Sequence, residues 1–243
     1  MNTYVILGAS GDIGIEYIRH LEESNESAVV LAFYYRSFER LAKLKCNNIT
    51  LIPIRCDLSD CVETERVFRQ VAKEYNNITH FISFAFGRLK YDRVTAFSAD
   101  DVLLNFKIQI SSCAIALSYI IPIMKQNKFG RVVILTSSVT TGTPPLFMSE
   151  YTIIKYASLG MIKSYAAECI KYNITVNGLA PSMVVTKMWD GISPIILEKN
   201  VMNHPLKRAV SYDEINQCID YLVSKNAGYI TGENINLSGG EVI

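Results

Sequence analysis

The chain has 243 residues, 49% of them hydrophobic, and 24 Lys and Arg against 23 Asp and Glu leave a net charge of +1. That is enough apolar material for one large core, and a balanced charge without a basic run excludes electrostatic binding to nucleic acid. No apolar stretch reaches the roughly 18–20 uncharged residues a membrane span needs. The longest, 108–124, carries Gln109, Ser111, Ser112, Ser118 and Pro122, which predicts a buried helix and no membrane partner. The chain enters an apolar run at 4–7 with no basic segment before it, so no secretory leader is expected. Six cysteines without a C-x-x-C pair and three scattered histidines predict a reducing, cytoplasmic setting and no metal site.

In chain order, β-branched runs at 4–7, 29–33, 50–54, 80–84, 131–136, 175–179 and 234–237 read as strands. Helical patterns at 13–23, 37–44, 62–75, 100–125, 151–171 and 212–224 alternate with them. Neither repeat nor linker breaks the order. It predicts a single domain over 1–243, a doubly wound, Rossmann-like three-layer α/β fold on a seven-stranded parallel sheet. The segments 113–117 and 157–162 are apolar on too many faces for contact with a sheet alone, which predicts a homodimer or homotetramer built through those helices.

The first strand runs into Gly8-Ala-Ser-Gly11-Asp-Ile-Gly14 and then a helix. Glycines there let backbone amides approach a pyrophosphate at the helix N-terminus, where the dipole favours anions. The second strand ends in Phe33-Tyr-Tyr-Arg-Ser37 with no carboxylate before Glu39. A carboxylate at that point accepts from the ribose 2′-hydroxyl of NAD; Arg36 and Ser37 instead suit a 2′-phosphate, so the cofactor expected is NADP(H).

Ser138 follows an apolar strand, and Tyr151 and Lys155 lie four apart at the start of a helical pattern, on one face. A free phenol has a pKa of ~10. An ammonium held beside it favours the phenolate, which brings the tyrosine towards neutrality as a general acid or base. Ser138 is placed to hydrogen-bond a substrate carbonyl.

These residues, taken in register, carry a resemblance. The Gly8–Gly14 turn, Asp57 after the third strand, Ser138 thirteen residues before Tyr151, Tyr151-x-x-x-Lys155, and Ile174-Thr-Val-Asn-Gly-Leu-Ala-Pro181 with Thr186 match one family. So do Pro205-Leu-Lys-Arg208, Tyr229-Ile-Thr-Gly232 and Gly239-Gly240. Over its whole length the chain resembles the short-chain dehydrogenase/reductase family, and within it the 3-oxoacyl-[acyl-carrier-protein] reductases. The resemblance implies that Gly8, Ser10, Gly11, Asp12, Ile13 and Gly14 form the pyrophosphate turn, and that Asp57 and Leu58 flank the adenine. It implies that Ala85, Pro181, Val184 and Thr186 line the cofactor wall and nicotinamide end. Tyr151 would donate the proton, Lys155 would hold the nicotinamide ribose, and Ser138 would orient the carbonyl.

Several positions depart from the family pattern. Leu7 replaces a threonine, Asp12 the middle glycine, and Ser182 the glycine after Pro181. Ser83-Phe-Ala-Phe86, followed by Gly87, stands where the family has Asn-Asn-Ala-Gly, implying a more apolar pocket. Gln109 takes the place of the asparagine that supports a proton-relay water, with Asn105 one turn earlier as a substitute. A short lid is expected around 187–204, and with Phe84, Phe86, Phe147 and Met148 it implies an apolar site. The expected substrate is a ketone, small or held as a β-ketoacyl thioester on a carrier protein, whose acidic surface Lys125, Lys128 and Lys171 would meet. The alternatives are a sugar or polyol oxidoreductase of the same family, or a dinucleotide-binding sensor of low activity.

Overall fold

The computed structural model describes residues 1–24, 26–190 and 193–242, so residues 191 and 192 of the expected lid lie outside the described residues. Seven strands, β1 (Asn2–Leu7), β2 (Ala28–Tyr34), β3 (Ile49–Arg55), β4 (His80–Ser83), β5 (Gly130–Leu135), β6 (Ile174–Pro181) and β7 (Asn234–Leu237), form one sheet in the order β3-β2-β1-β4-β5-β6-β7. Every neighbouring pair is parallel. The expected doubly wound α/β fold is therefore the observed one.

Strand side chains alternate between two cores, which is why these strands read as continuous apolar runs. In β1, Val5 and Leu7 enter one core while Tyr4 and Ile6 enter the other. Leu31 and Phe33 of β2 join the first, where Phe33 stacks on Phe68 at 4.6 Å. Phe68 belongs to α3 (Cys61–Glu74), which packs on that face with α5 (Ser112–Asn127) and α6 (Ser149–Cys169). The opposite core is closed by α1 (Asp12–Glu23) and α8 (Tyr212–Val223), joined by His20 Nε2 to Asp220 Oδ2 at 2.5 Å.

Local chemistry explains where helices begin. Asp60 caps α3 by accepting from Val62 and Glu63 amides, and Ser211 with Glu214 forms a full capping box on α8. The expected helix at 37–44 shrinks to α2 (Phe38–Ala42), whose cap residue Ser37 makes no side-chain bond. A helix not foreseen, α7 (Pro194–Asn203), starts on a proline inside the lid segment.

The expected helix at 100–125 is in fact α4 (Ala99–Phe106), a wide π-helical segment (Lys107–Ser111) and α5 in continuation. Taken together, Ala99–Asn127 is long and apolar enough to cross a membrane by length and composition, with mean hydropathy 1.5 over its most apolar window. Its longest uncharged run is still 108–124, bounded by Lys107 and Lys125. One third of that window is buried within the fold, and Cys113, Ala116, Leu117, Ile120 and Met124 are fully covered by the sheet side. Leu103, Leu104 and Phe106 on α4, and Ile153 and Tyr156 on α6, remain exposed.

The amino and carboxyl ends of the sheet differ in kind. At the amino ends sit buried groups that bind only the fold. Arg131 donates to the carbonyls of Ser224, Gly130 and Asn173, and His80 contacts Thr79 Oγ1 and Val223 O while stacking on Tyr4 at 4.2 Å. At the carboxyl ends the strand order reverses between β1 and β4, and open α/β sheets place ligands in the crevice at such a reversal.

Candidate active site

The crevice exists as a cavity of about 450 Å³ at the carboxyl ends of the strands. One end is the turn between β1 and α1. Gly8 there has φ +72°, and a Cβ would lie 2.8 Å from the amide nitrogen of Ala85, so only glycine lets the turn pack on the chain leaving β4. Gly14 is as tightly enclosed, with a Cβ position 2.6 Å from Gly8 O. Gly8, Gly11, Asp12, Ile13 and Gly14 all line the cavity. Ser10 contributes a carbonyl, and Ala85 lies buried beneath Gly8.

The other end is built by β5 and α6. Lys155 is buried, and its Nζ donates to Leu135 O at 2.8 Å, the last residue of β5. The ammonium also stands 5.1 Å from the Phe86 ring centre and 5.4 Å from that of Tyr151. Phe86, in place of a small residue, packs edge-on to Tyr151 at 5.0 Å. Burial therefore governs both titrations. It pushes the Tyr151 phenol up to about 12, against the pull of a hydrogen bond with the Ser137 side chain, and it pulls Lys155 down to about 7. The direction is opposite to the expected lowering, because burial of the phenol itself outweighs the Ser137 bond.

Ser137, not singled out in the sequence, is thus the hydroxyl on Tyr151, while Ser138 lines the same cavity and opens the turn Ser138–Thr140. Just before α6, Phe147 takes a left-handed φ of +66°, and its carbonyl accepts from Asp92 N at 2.9 Å. Glu150 is buried and accepts from Ser98 N at 2.7 Å, fixing the start of α6 against the start of α4.

Gln109 sits in the π-helical segment behind Lys155. Its Nε2 donates to Ser158 Oγ at 2.9 Å and to Leu135 O at 3.5 Å, the carbonyl that Lys155 also uses. Its buried Oε1 has no partner among the described residues. The alternative, Asn105, donates to Arg88 O at 3.2 Å.

The basic residue expected after the second strand, Arg36, is not the one that lines the cavity. Arg36 lies over the Tyr35 ring at 4.9 Å and is not among the cavity walls, and Ser37 only precedes α2. Arg40, one helical turn on, does line the cavity; it donates to Ser10 O at 2.8 Å and pairs with Asp12 at 2.6 Å. Nothing local announces this, because the contact joins residues 28 apart. Asp57 accepts from Ser59 N and Oγ; its carboxyl, which burial would raise, is held below the usual range by Ser59, Tyr35 and the Arg36 charge. Leu58 packs on the core.

Pro181, Val184 and Thr186 line the cavity beyond β6, and Thr186 caps the turn Lys187–Trp189. Leu89, Val139, Met148 and Tyr151, with Phe86, Tyr91, Met188 and Trp189 against them, form a small apolar cluster at this end. Lys125, Lys128 and Lys171 do not approach it. They precede β5 and β6, with Lys125 and Lys171 on the Tyr172 ring at 4.7 and 5.2 Å, a strand's length from the carboxyl ends. Any carrier surface they met would therefore lie away from the cavity mouth. Among the described residues no group of three His, Cys, Asp or Glu could hold a metal ion.

The glycine cradle, the deep cavity and the buried Tyr151–Lys155 end together suit a nicotinamide dinucleotide, and relatives share the arrangement's frame. Residues 8–241 match the family described as "Enoyl-(Acyl carrier protein) reductase". The 3-oxoacyl-[acyl-carrier-protein] reductase FabG of Staphylococcus aureus (strain Mu50) is 26% identical over 97% of this chain and 96% of its own. Among solved structures, ElxO with NADP bound superposes with a TM-score of 0.83 at 18% identity, covering 98% of each chain. NAD+-bound xylitol dehydrogenase does so with a TM-score of 0.85 at 20% identity, again covering 98% of each. The chain belongs to the short-chain dehydrogenase/reductase family of oxidoreductases.

Proposed function

We propose that the protein is an NADPH-dependent ketone reductase with Tyr151 as its general acid. The observation that carries this reading is the placing of Tyr151 and Lys155, on successive turns of α6, in the cavity whose far end is the Gly8–Gly14 turn. The dinucleotide supplies the hydride; the chain supplies orientation and proton. The α1 N-terminus and its glycines would hold the pyrophosphate, with Pro181, Val184 and Thr186 at the nicotinamide end and Asp57 and Leu58 at the adenine. A phenol pushed up to about 12 is protonated throughout the neutral range, the form that donates to a carbonyl oxygen gaining charge. Ser137 and Ser138 orient that oxygen and share its developing charge. Lys155, anchored by Leu135 O, would meet the nicotinamide ribose, and Gln109 holds the same carbonyl from behind.

The apolar cluster of Phe86, Tyr91, Val139, Met148, Met188 and Trp189 supports a ketone with an apolar body, such as a β-ketoacyl thioester. A polyol or sugar oxidoreductase using NAD is the second reading, favoured by the seating of Arg36 outside the cavity walls. We assign the exposed apolar residues of α4 and α6 to contacts between copies of the chain, and the compartment to the cytoplasm. Fluorescence titration with NADPH and NADH, followed by NADPH consumption over β-keto thioesters and keto sugars, tests the proposal. Tighter NADPH binding and turnover of the thioesters are expected. Binding without turnover of any member would favour a sensor instead.

A further inference from the structure

Asp12 is the first residue of α1, at a helix N-terminus where unpaired amides and the dipole favour an anion. The chain supplies that anion itself. Asp12 Oδ1 lies 2.6 Å from Arg40 Nη2, and Oδ2 accepts from the Lys187 amide at 2.7 Å. The pair is well covered, with the Asp12 side chain 15% exposed and that of Arg40 29%. Burial alone would raise the Asp12 carboxyl, but the Lys187 amide and Arg40 outweigh it and hold the group below the usual carboxylate range, so it is ionised.

Both partners matter to the cavity. Arg40 is the guanidinium that lines it near the glycine turn, and it is already committed to Asp12 and Ser10 O. Lys187 opens the turn that follows Thr186, so the carboxylate ties the glycine turn to the segment beyond β6 across walls that both belong to the same cavity. A dinucleotide brings phosphate charge into this space. Like charges a few ångström apart, partly shielded from water, repel substantially. The same guanidinium, amide and helix end are the donors a phosphate needs.

We infer that Asp12 is an internal competitor of the cofactor's phosphates: its carboxylate, on the first residue of α1, occupies Arg40 and the Lys187 amide, and it must release them for a dinucleotide to bind. Asp12 thereby sets cofactor affinity and couples it to release of the segment after Thr186. The inference rests on the dinucleotide reading of the cavity.

The test compares wild type, Asp12→Gly and Asp12→Asn by calorimetric titration with NADPH and with inorganic pyrophosphate, and by amide exchange at Lys187 without ligand. Asp12→Asn keeps the side-chain shape, so it guards against a folding defect in the glycine variant. Both variants should bind NADPH on the order of tenfold more tightly than wild type, and pyrophosphate should follow the same order. Lys187 exchange should rise in ligand-free Asp12→Gly. Variants that bind NADPH no better than a wild type that does bind, or unchanged Lys187 exchange, would overturn the inference. Absence of NADPH binding in all three proteins would instead overturn the dinucleotide reading, and the inference with it.

Discussion

At the scale of single residues, burial decides the behaviour of the site. Lys155 is drawn down to about 7 by lost solvation, whereas the unfolded ammonium titrates near ~10.4. The folded state therefore binds fewer protons between those values, and the penalty of burying Lys155 is full below about pH 7 and fades as pH rises towards 10. Lys155→Met should stabilise the ligand-free protein at pH 6 by at most about 5 kcal/mol, the linkage limit of the shift. Denaturant unfolding of both proteins at pH 6 and 9.5 measures it, and a gap that does not narrow at the higher pH would contradict the burial argument. Arg36 supplies a second residue-scale prediction. If it reaches a 2′-phosphate on binding, Arg36→Ala raises the KM for NADPH about tenfold and leaves that for NADH unchanged. Tyr151, Lys155 and the glycine turn were legible as motifs in register with the rest of the chain, because each lies within one local element. Spacing could not show Arg40 on Asp12, Ser137 on Tyr151 or the balance of the two pKa values, since those depend on distant segments meeting in a dry site.

At the scale of elements, β-branched runs and caps made nearly every strand and helix legible. The exceptions have physical causes. The helix α2 stops at Ala42 with its cap residue Ser37 making no side-chain bond, and the π-helical segment at Lys107–Ser111 leaves no mark in an apolar pattern. That segment nonetheless puts Gln109 against Leu135 O and Ser158. Gln109→Leu removes both hydrogen bonds and should destabilise the fold by about 1–3 kcal/mol. His80 links β4 to the end of α8 through Val223 O, and burial draws it down to about 4, so it is neutral in the fold. Its contribution is complete above the unfolded pKa of ~6.5 and is lost as pH falls through the folded value, about 3 kcal/mol in all. Acid unfolding of His80→Gln should lack that slope between pH 6.5 and 4.

At the scale of the whole molecule, the sheet divides its labour between its ends. Buried Arg131 and His80 lock the amino ends with hydrogen bonds to backbone, while the carboxyl ends keep a cavity with titratable side chains. On the flank, Leu104 on α4 and Tyr156 on α6 are exposed apolar side chains on neighbouring helices. Changing both to lysine should lower the sedimenting mass to that of a single chain if this face joins copies; unchanged mass would show that it does not. The central claim, that a buried phenol protonates a carbonyl beside a bound dinucleotide, is tested most directly by Tyr151→Phe. NADPH affinity and NADPH consumption are to be measured in the same preparation, with the best substrate of the wild type. Affinity within about twofold of wild type, with turnover reduced by at least about 100-fold, is the outcome expected of a lost general acid. Turnover close to wild type would contradict it.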